Sequence, residues 1–170
     1  KGLGYTADAA KYGERACSWE YFWNPEIEDD RYTGFIQNHK PDGSWVYYTP
    51  KKKDLNGPQF YEGSSWVYSY FVPHNFKRLI ALCGGKVKYA ERLNHALKSN
   101  LIDYSNEPSF MTIRSFIDAG RPDLCSYWVS ENMKKYSLNA YPGDEDSGAM
   151  SSWYVFSALG FFPKAGTDIY

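Results

Sequence analysis

At 170 residues the chain is about one domain long, enough to bury a core. Its 19 Lys and Arg balance 20 Asp and Glu to a net charge of −1, which gives no argument for nucleic acid, whose binding surfaces are strongly basic. No apolar run approaches the roughly 20 residues that span a bilayer, so no membrane span is expected.

Three cysteines, Cys17, Cys83 and Cys125, are widely spaced and odd in number, so at most one internal disulfide forms. Cys83 and Cys125 each follow a leucine in a helical pattern and read as buried thiols. His39, His74 and His95 lack metal-ligand spacing, and no zinc site is expected. Sixteen Tyr, ten Phe and six Trp make 19% of the chain aromatic. Such rings fill cores, and they also offer flat surfaces to the C–H face of a sugar. The sequence opens at Lys1 without an initiator methionine or a signal peptide and is expected to be cut from something longer.

Taken in chain order, the stretch up to Tyr61 reads as irregular and rich in loops. Asn24-Pro25, Pro41-Asp42-Gly43 and Asn56-Gly57-Pro58 are turn signals. A hairpin around Pro41-Asp42-Gly43 is predicted to pair Tyr32–Ile36 with Ser44–Tyr48. Helical patterns begin at Ser64. Trp66–Phe71 is an apolar stretch closed by Pro73. Phe76, Leu79, Ile80 and Cys83 repeat at i, i+3, i+4 and i+7, and Gly84-Gly85 stops that helix. Val87, Ala90, Leu93, Ala96 and Leu97 form the face of the next. A fourth helix is predicted after Pro108, with Phe110, Ile113, Phe116 and Ile117 on one side. Pro122 suits the first position of a fifth, and the last runs from about Ser147 to Gly160. Successive helices with short links predict a mostly α architecture of helix hairpins.

Acids sit in three of the linking loops: Glu62 in Tyr61-Glu62-Gly63, Glu107 in Asn106-Glu107-Pro108-Ser109, and the run Asp144-Glu145-Asp146. Each has a plain explanation, because acids near a helix start complement its dipole, and Asp146 or Ser147 is a natural N-cap. Together they suggest more. Cleavage of a glycosidic bond needs one carboxylic acid to protonate the leaving oxygen and one carboxylate to activate water or attack carbon. Asp144 and Asp146, two residues apart, would raise each other's pKa unless a cation sat nearby, and calcium suits such oxygen donors.

At these residues the chain resembles glycoside hydrolase family 92. The resemblance rests on Tyr61-Glu62-Gly63-Ser64-Ser65-Trp66 with Val72-Pro73-His74, on Asn106-Glu107-Pro108-Ser109, and on the long run from Gly143-Asp144-Glu145-Asp146 through Met150-Ser151-Ser152-Trp153-Tyr154 to Leu159-Gly160-Phe161-Phe162-Pro163. It implies part of an (α/α)6 barrel, a six-hairpin toroid, truncated at both ends. It also implies inverting, calcium-dependent exo-hydrolysis of α-mannosides, with Ca2+ touching the mannose hydroxyls; the resemblance does not assign its protein ligands. By motif, Glu62 would be the general acid and Asp146 the general base, with Asp144 assisting. Asn106 and Glu107 would lie beside the leaving-group sugar, and His74 near the pocket. The substrate implied is a mannose-containing oligosaccharide or glycoprotein glycan, and the family implies secretion. Two departures stand out. A helix of the family is missing after Tyr21, and Asn75 follows His74 where aspartate is common. The alternative reading is a catalytically inactive remnant with at most weak mannose binding.

Overall fold

The computed structural model describes residues 2–56, 59–143, 145–164 and 167–170. The predicted turn at Asn56-Gly57-Pro58 therefore lies partly outside the described residues, and Asp144 lies outside them altogether. No helix is long and apolar enough to cross a membrane among the described residues.

The first sixty residues hold more regular structure than their turn-rich composition predicts. Helix α1 (Thr6–Arg15) has no buried residue, so no apolar stripe announces it. A 3-10 turn, Ser18–Phe22, carries the chain past Tyr21 and directly into strand β1 (Trp23–Asp29). β1 pairs antiparallel with β2 (Tyr32–Ile36), which corrects the predicted pairing of Tyr32–Ile36 with Ser44–Tyr48. The reason is local. Asp30 and Arg31 take φ of 53° and 81°, the left-handed pair of a two-residue hairpin turn, without the Asn-Gly or Asp-Gly that advertises one. Pro25 and a register shift between Asn24 and Glu28 further hide β1 as a strand. The Pro41-Asp42-Gly43 turn does form, with Asp42 Oδ1 accepting from the Ser44 amide at 2.9 Å. Beyond it only a single bridge, His39 to Trp45, is made. Gly34 is obligatory at φ +83°, since a Cβ there would sit 2.4 Å from the Trp23 indole.

Strands β3 (Asp54–Asn56) and β4 (Tyr61–Gly63) form a second small ribbon. It leads into α2 (Ser65–Tyr68), whose N-terminus is capped by Ser64 Oγ, an acceptor from the Val67 amide. Two serines then fasten α2 to the end of β2. Ser65 Oγ donates to the Ile36 carbonyl at 2.7 Å, and Ser69 Oγ accepts from the Ile36 amide at 2.9 Å. They supply the two bonds that a third strand would have made there.

Helix α3 (Phe76–Leu82) buries Phe76, Leu79 and Ile80 as its spacing predicts, and ends at Gly84 and Gly85, both with positive φ. Asn75 Oδ1 accepts from the Arg78 amide at 3.2 Å, so this departure from the family pattern still performs an N-cap's work. α4 (Lys86–Lys98) packs on α3 and buries Tyr89, Ala90, Arg92, Leu93, Ala96 and Leu97. Of the predicted face, Ala90, Leu93, Ala96 and Leu97 are buried and Val87 is 72% exposed; Tyr89 and Arg92 extend the face on one side. That side holds a charge. Arg92 is 2% exposed, donates to the carbonyls of Thr33 (3.1 Å) and Gly34 (2.7 Å), and lies 4.3 Å from the Phe35 ring centroid and 5.3 Å from that of Trp66.

The predicted fourth helix is broken into a 3-10 turn, Glu107–Ser109, and the short α5 (Ser115–Asp118). The buried Tyr104 hydroxyl accepts the Ile113 amide at 2.8 Å and takes that donor out of a helical ladder. Phe110, Ile113 and Phe116 are buried as expected, whereas Ile117 is 57% exposed. α6 (Pro122–Met133) begins with its proline, and α7 (Ala149–Leu159) ends on Gly160 at φ +83°. Trp153 on α7 is almost wholly buried, donates to the Phe110 carbonyl at 3.1 Å and stacks parallel to Tyr136. All three thiols are free; Cys125 is buried, Cys83 partly so, and Cys17 exposed.

Arg92→Lys keeps the charge but cannot serve two carbonyls while lying flat on a ring. It should lower the unfolding free energy by about 1–3 kcal/mol, the cost of stranding a buried acceptor, measured as a shift in urea midpoint. An unchanged midpoint would show that the fork is not required.

Candidate active site

Glu62 lies at the centre of β4 with φ of +51°, an uncommon conformation for a residue with a Cβ. Its neighbours hold it there. The Tyr68 hydroxyl donates to the Tyr61 carbonyl at 2.7 Å, and the Tyr68 ring stacks on Phe60 with centroids 4.8 Å apart. Gly63 is pressed against the same ring, where a Cβ would come within 2.6 Å of Cε2. Burial raises the Tyr68 hydroxyl above its ordinary pKa, and the negative charge of Glu62 adds to the effect.

The second acid-bearing loop meets the first directly. Asn106 Nδ2 donates to Glu62 Oε2 at 2.8 Å, while Asn106 Oδ1 accepts from the Glu107 amide at 2.9 Å. The two bonds fix the orientation of the amide, because a flip would turn an NH2 toward an N–H and an oxygen toward a carboxylate. A second tie joins the same loops: Lys53, just ahead of β3, pairs with Asp103. Asp103 in turn accepts from the amide and hydroxyl of Ser105.

The third loop rests on the second. At Gly143 a Cβ would meet the Ser105 carbonyl oxygen at 2.2 Å, a distance no side chain tolerates. Beyond it a 3-10 turn, Asp146–Gly148, precedes α7, with Ser147 at φ +52° and Gly148 at +81°. The predicted cap by Asp146 or Ser147 is corrected here. These two left-handed residues fold the chain back so that Glu145 reaches forward, accepting from the Ser151 amide at 3.0 Å and its hydroxyl at 2.5 Å. Burial, assisted by the Glu145 charge, pushes the neighbouring Tyr136 hydroxyl up to about 12.

The capping duties are thus taken by Ser64, Asn106 and Glu145. The Glu62 Oε1, the Glu107 carboxylate and the Asp146 carboxylate have no hydrogen-bond partner among the described residues. Asp146 is exposed, and Glu62 and Glu107 are half-buried. His74 is held elsewhere: its Nε2 lies 2.9 Å from the Ala16 carbonyl, and with the Arg78–Glu20 pair it ties the start of α3 to the segment after α1. A recess of about 780 Å³, lined by Arg31, Tyr32, Glu91, Arg92, His95 and Lys98 among others, contains none of the acids named above. Among the described residues no three His, Cys, Asp or Glu converge as metal ligands would. Sequence reasoning missed Tyr68 and Ser105, and named Glu145 only as one of a run of acids. Only Glu145, three residues before Gly148 and six before Ser151, carried any capping signal.

The model for the glycosyl hydrolase family 92 catalytic domain matches residues 1–170. The chain belongs to this family. Over its whole length it is 31% identical to a protein of Arthroderma benhamiae described as an uncharacterized secreted glycosidase, of which it spans 24%. A family 92 inverting mannosidase of Bacteroides thetaiotaomicron superposes with a TM-score of 0.78 at 28% identity, over 95% of this chain and 25% of that one. A family 92 α-mannosidase of the same organism, solved with mannoimidazole, shares the fold with a TM-score of 0.80 at 24% identity, over 96% of this chain and 24% of that one. The chain spans about a quarter of the length of each of these proteins. Its mostly helical structure is that of the corresponding part of the family 92 fold.

Gly143→Ala should push the third loop off Ser105 and destabilise the protein by about 1–3 kcal/mol, as overpacking does. Thermal unfolding checks this, and an unchanged melting temperature would show that the loops are not in contact.

Proposed function

We propose that this chain forms the acid–base part of an α-mannosidase that removes terminal mannose from glycans with inversion. The observation that carries the reading is the release of Glu62 Oε1 and Asp146 from capping, on loops joined through Asn106 and Gly143. On this reading the chain is a stretch of an (α/α)6 barrel lacking the helix that would follow Tyr21.

In the mechanism, protonated Glu62 gives its proton to the glycosidic oxygen as the C1–O bond breaks and the bonding pair stays with that oxygen. Water attacks C1 from the opposite face, and Asp146, with Asp144 assisting, accepts the water's proton. The products are mannose of inverted anomeric configuration and a free hydroxyl on the remaining glycan. Glu107 faces the leaving sugar in this reading, and His74, bonded to the Ala16 carbonyl, is a structural residue. Likeness to the Bacteroides thetaiotaomicron inverting mannosidase supports both substrate and stereochemistry, and the Arthroderma benhamiae relative, described as secreted, supports export.

Calcium enters through the family likeness. The described side chains do not by themselves build an ion cage.

The test is mannose release from an α-mannooligosaccharide, with proton NMR of the first anomer formed. Release of the β-anomer supports the reading, whereas no release, or release of the α-anomer, overturns it. Asp146→Asn should reduce turnover by at least about a hundredfold, the usual scale for a lost general base; a full rate would remove Asp146 from the mechanism.

A further inference from the structure

We infer that Asn106 is a positioning residue for the acid, fixing which oxygen of Glu62 carries the proton. The inference rests on the reading of Glu62 as general acid and sharpens it. Both polar ends of Asn106 are committed within the protein, one to the Glu107 amide at 2.9 Å and the other to Glu62 Oε2 at 2.8 Å.

An amide N–H pointing at Oε2 makes that oxygen an acceptor. A proton on Oε2 would make it the weaker acceptor of the two oxygens and weaken the bond, because the carbonyl oxygen of a carboxylic acid accepts better than its hydroxyl. The proton of the acid form therefore resides on Oε1, the oxygen with no partner among the described residues. The same contact holds the carboxyl plane. Glu62 already has an uncommon backbone angle, φ +51°, and Tyr68 and Gly63 fix its main chain. The Asn106 bond adds a side-chain restraint at Oε2 and leaves Oε1 without a partner among the described residues. Proton transfer depends steeply on such alignment, because the donor oxygen needs hydrogen-bond reach of the leaving oxygen.

This assignment differs from a direct contact between Asn106 and the leaving-group sugar. The two can be separated with aryl α-mannosides, which carry no sugar at that position. Rates are measured on the enzyme expressed from its full gene, across aryl leaving groups of increasing pKa, for wild type, Glu62→Gln, Asn106→Ala, Asn106→Ser and the Glu62→Gln/Asn106→Ala pair. Serine retains an oxygen able to cap the Glu107–Ser109 turn but has no amide to offer Glu62, so it reports should the alanine variant fold poorly.

Asn106→Ala and Asn106→Ser should each steepen the dependence of kcat on leaving-group pKa. They should cost about tenfold to a hundredfold with the poorest leaving groups, part of the general-acid contribution, with KM little changed. The double variant should be no slower than Glu62→Gln alone, since both changes remove one function. If Glu62→Gln leaves the slope unchanged, the acid assignment falls and this inference falls with it. If Glu62→Gln steepens the slope while both Asn106 variants keep the wild-type slope, the acid stands and the positioning role is wrong. A rise in KM confined to mannobiose would then assign Asn106 to the sugar.

Discussion

A buried guanidinium fixes the frame on which the candidate site is built. Arg92 brings its charge from α4 to the carbonyls of Thr33 and Gly34 on β2, among the rings of Phe35, Trp66, Trp23 and Tyr70. A charge so placed would be costly to desolvate alone. Two carbonyls and the electron-rich faces of the rings offset that cost. The arrangement works only if the β1–β2 hairpin and α4 are in register, so it selects one packing of the two. Gly34 belongs to the same constraint, because the Trp23 indole occupies the volume a side chain would need.

From that frame the restraint passes to the acid through short links. Ile36, at the far end of β2, is bonded on both sides by Ser65 and Ser69 of α2 and its C-terminus. α2 carries Tyr68, which grips the Tyr61 carbonyl and backs Gly63. Glu62 is thus held between two residues that α2 has fixed. Its positive φ is a local cost on the order of 1 kcal/mol or more, sustained because the surrounding contacts leave β4 no relaxed alternative. The strain and the unpaired carboxylate oxygen occur at the same residue, a pattern expected of a site rather than of a structural strand.

How far the sequence disclosed this depended on the kind of signal each element carried. Helices with an apolar repeat and a defined stop, α3 and α6 above all, were legible because Phe76, Leu79 and Ile80 share one face and Pro122 marks a start. α1 had no buried face to betray it, and the β1–β2 turn used Asp30 and Arg31 where glycine would have signalled a hairpin. Arg92 went unseen on the face of α4 because a pattern of apolar residues cannot count a buried cation as core. The candidate acids were singled out through motif and loop position. Their partners were not, because Tyr68 reads as one more aromatic in an apolar run, and Ser105 as one more loop serine.

The run Asp144-Glu145-Asp146 shows why position alone could not assign roles to adjacent acids. All three precede a helix, and any of them could have complemented its dipole. What divides the work is backbone geometry. With Ser147 and Gly148 both left-handed, the chain turns back so that α7 starts at Ala149, and the carboxylate in reach of its first free donors is that of Glu145. The longer side chain spans the extra distance to Ser151, and Asp146, one residue nearer in sequence, is left exposed without that bond. A cap by Asp146 would have spent its carboxylate on α7. The left-handed pair transfers that duty to Glu145, and in doing so leaves Asp146 unpaired among the described residues, three residues beyond the Gly143 that rests on Ser105.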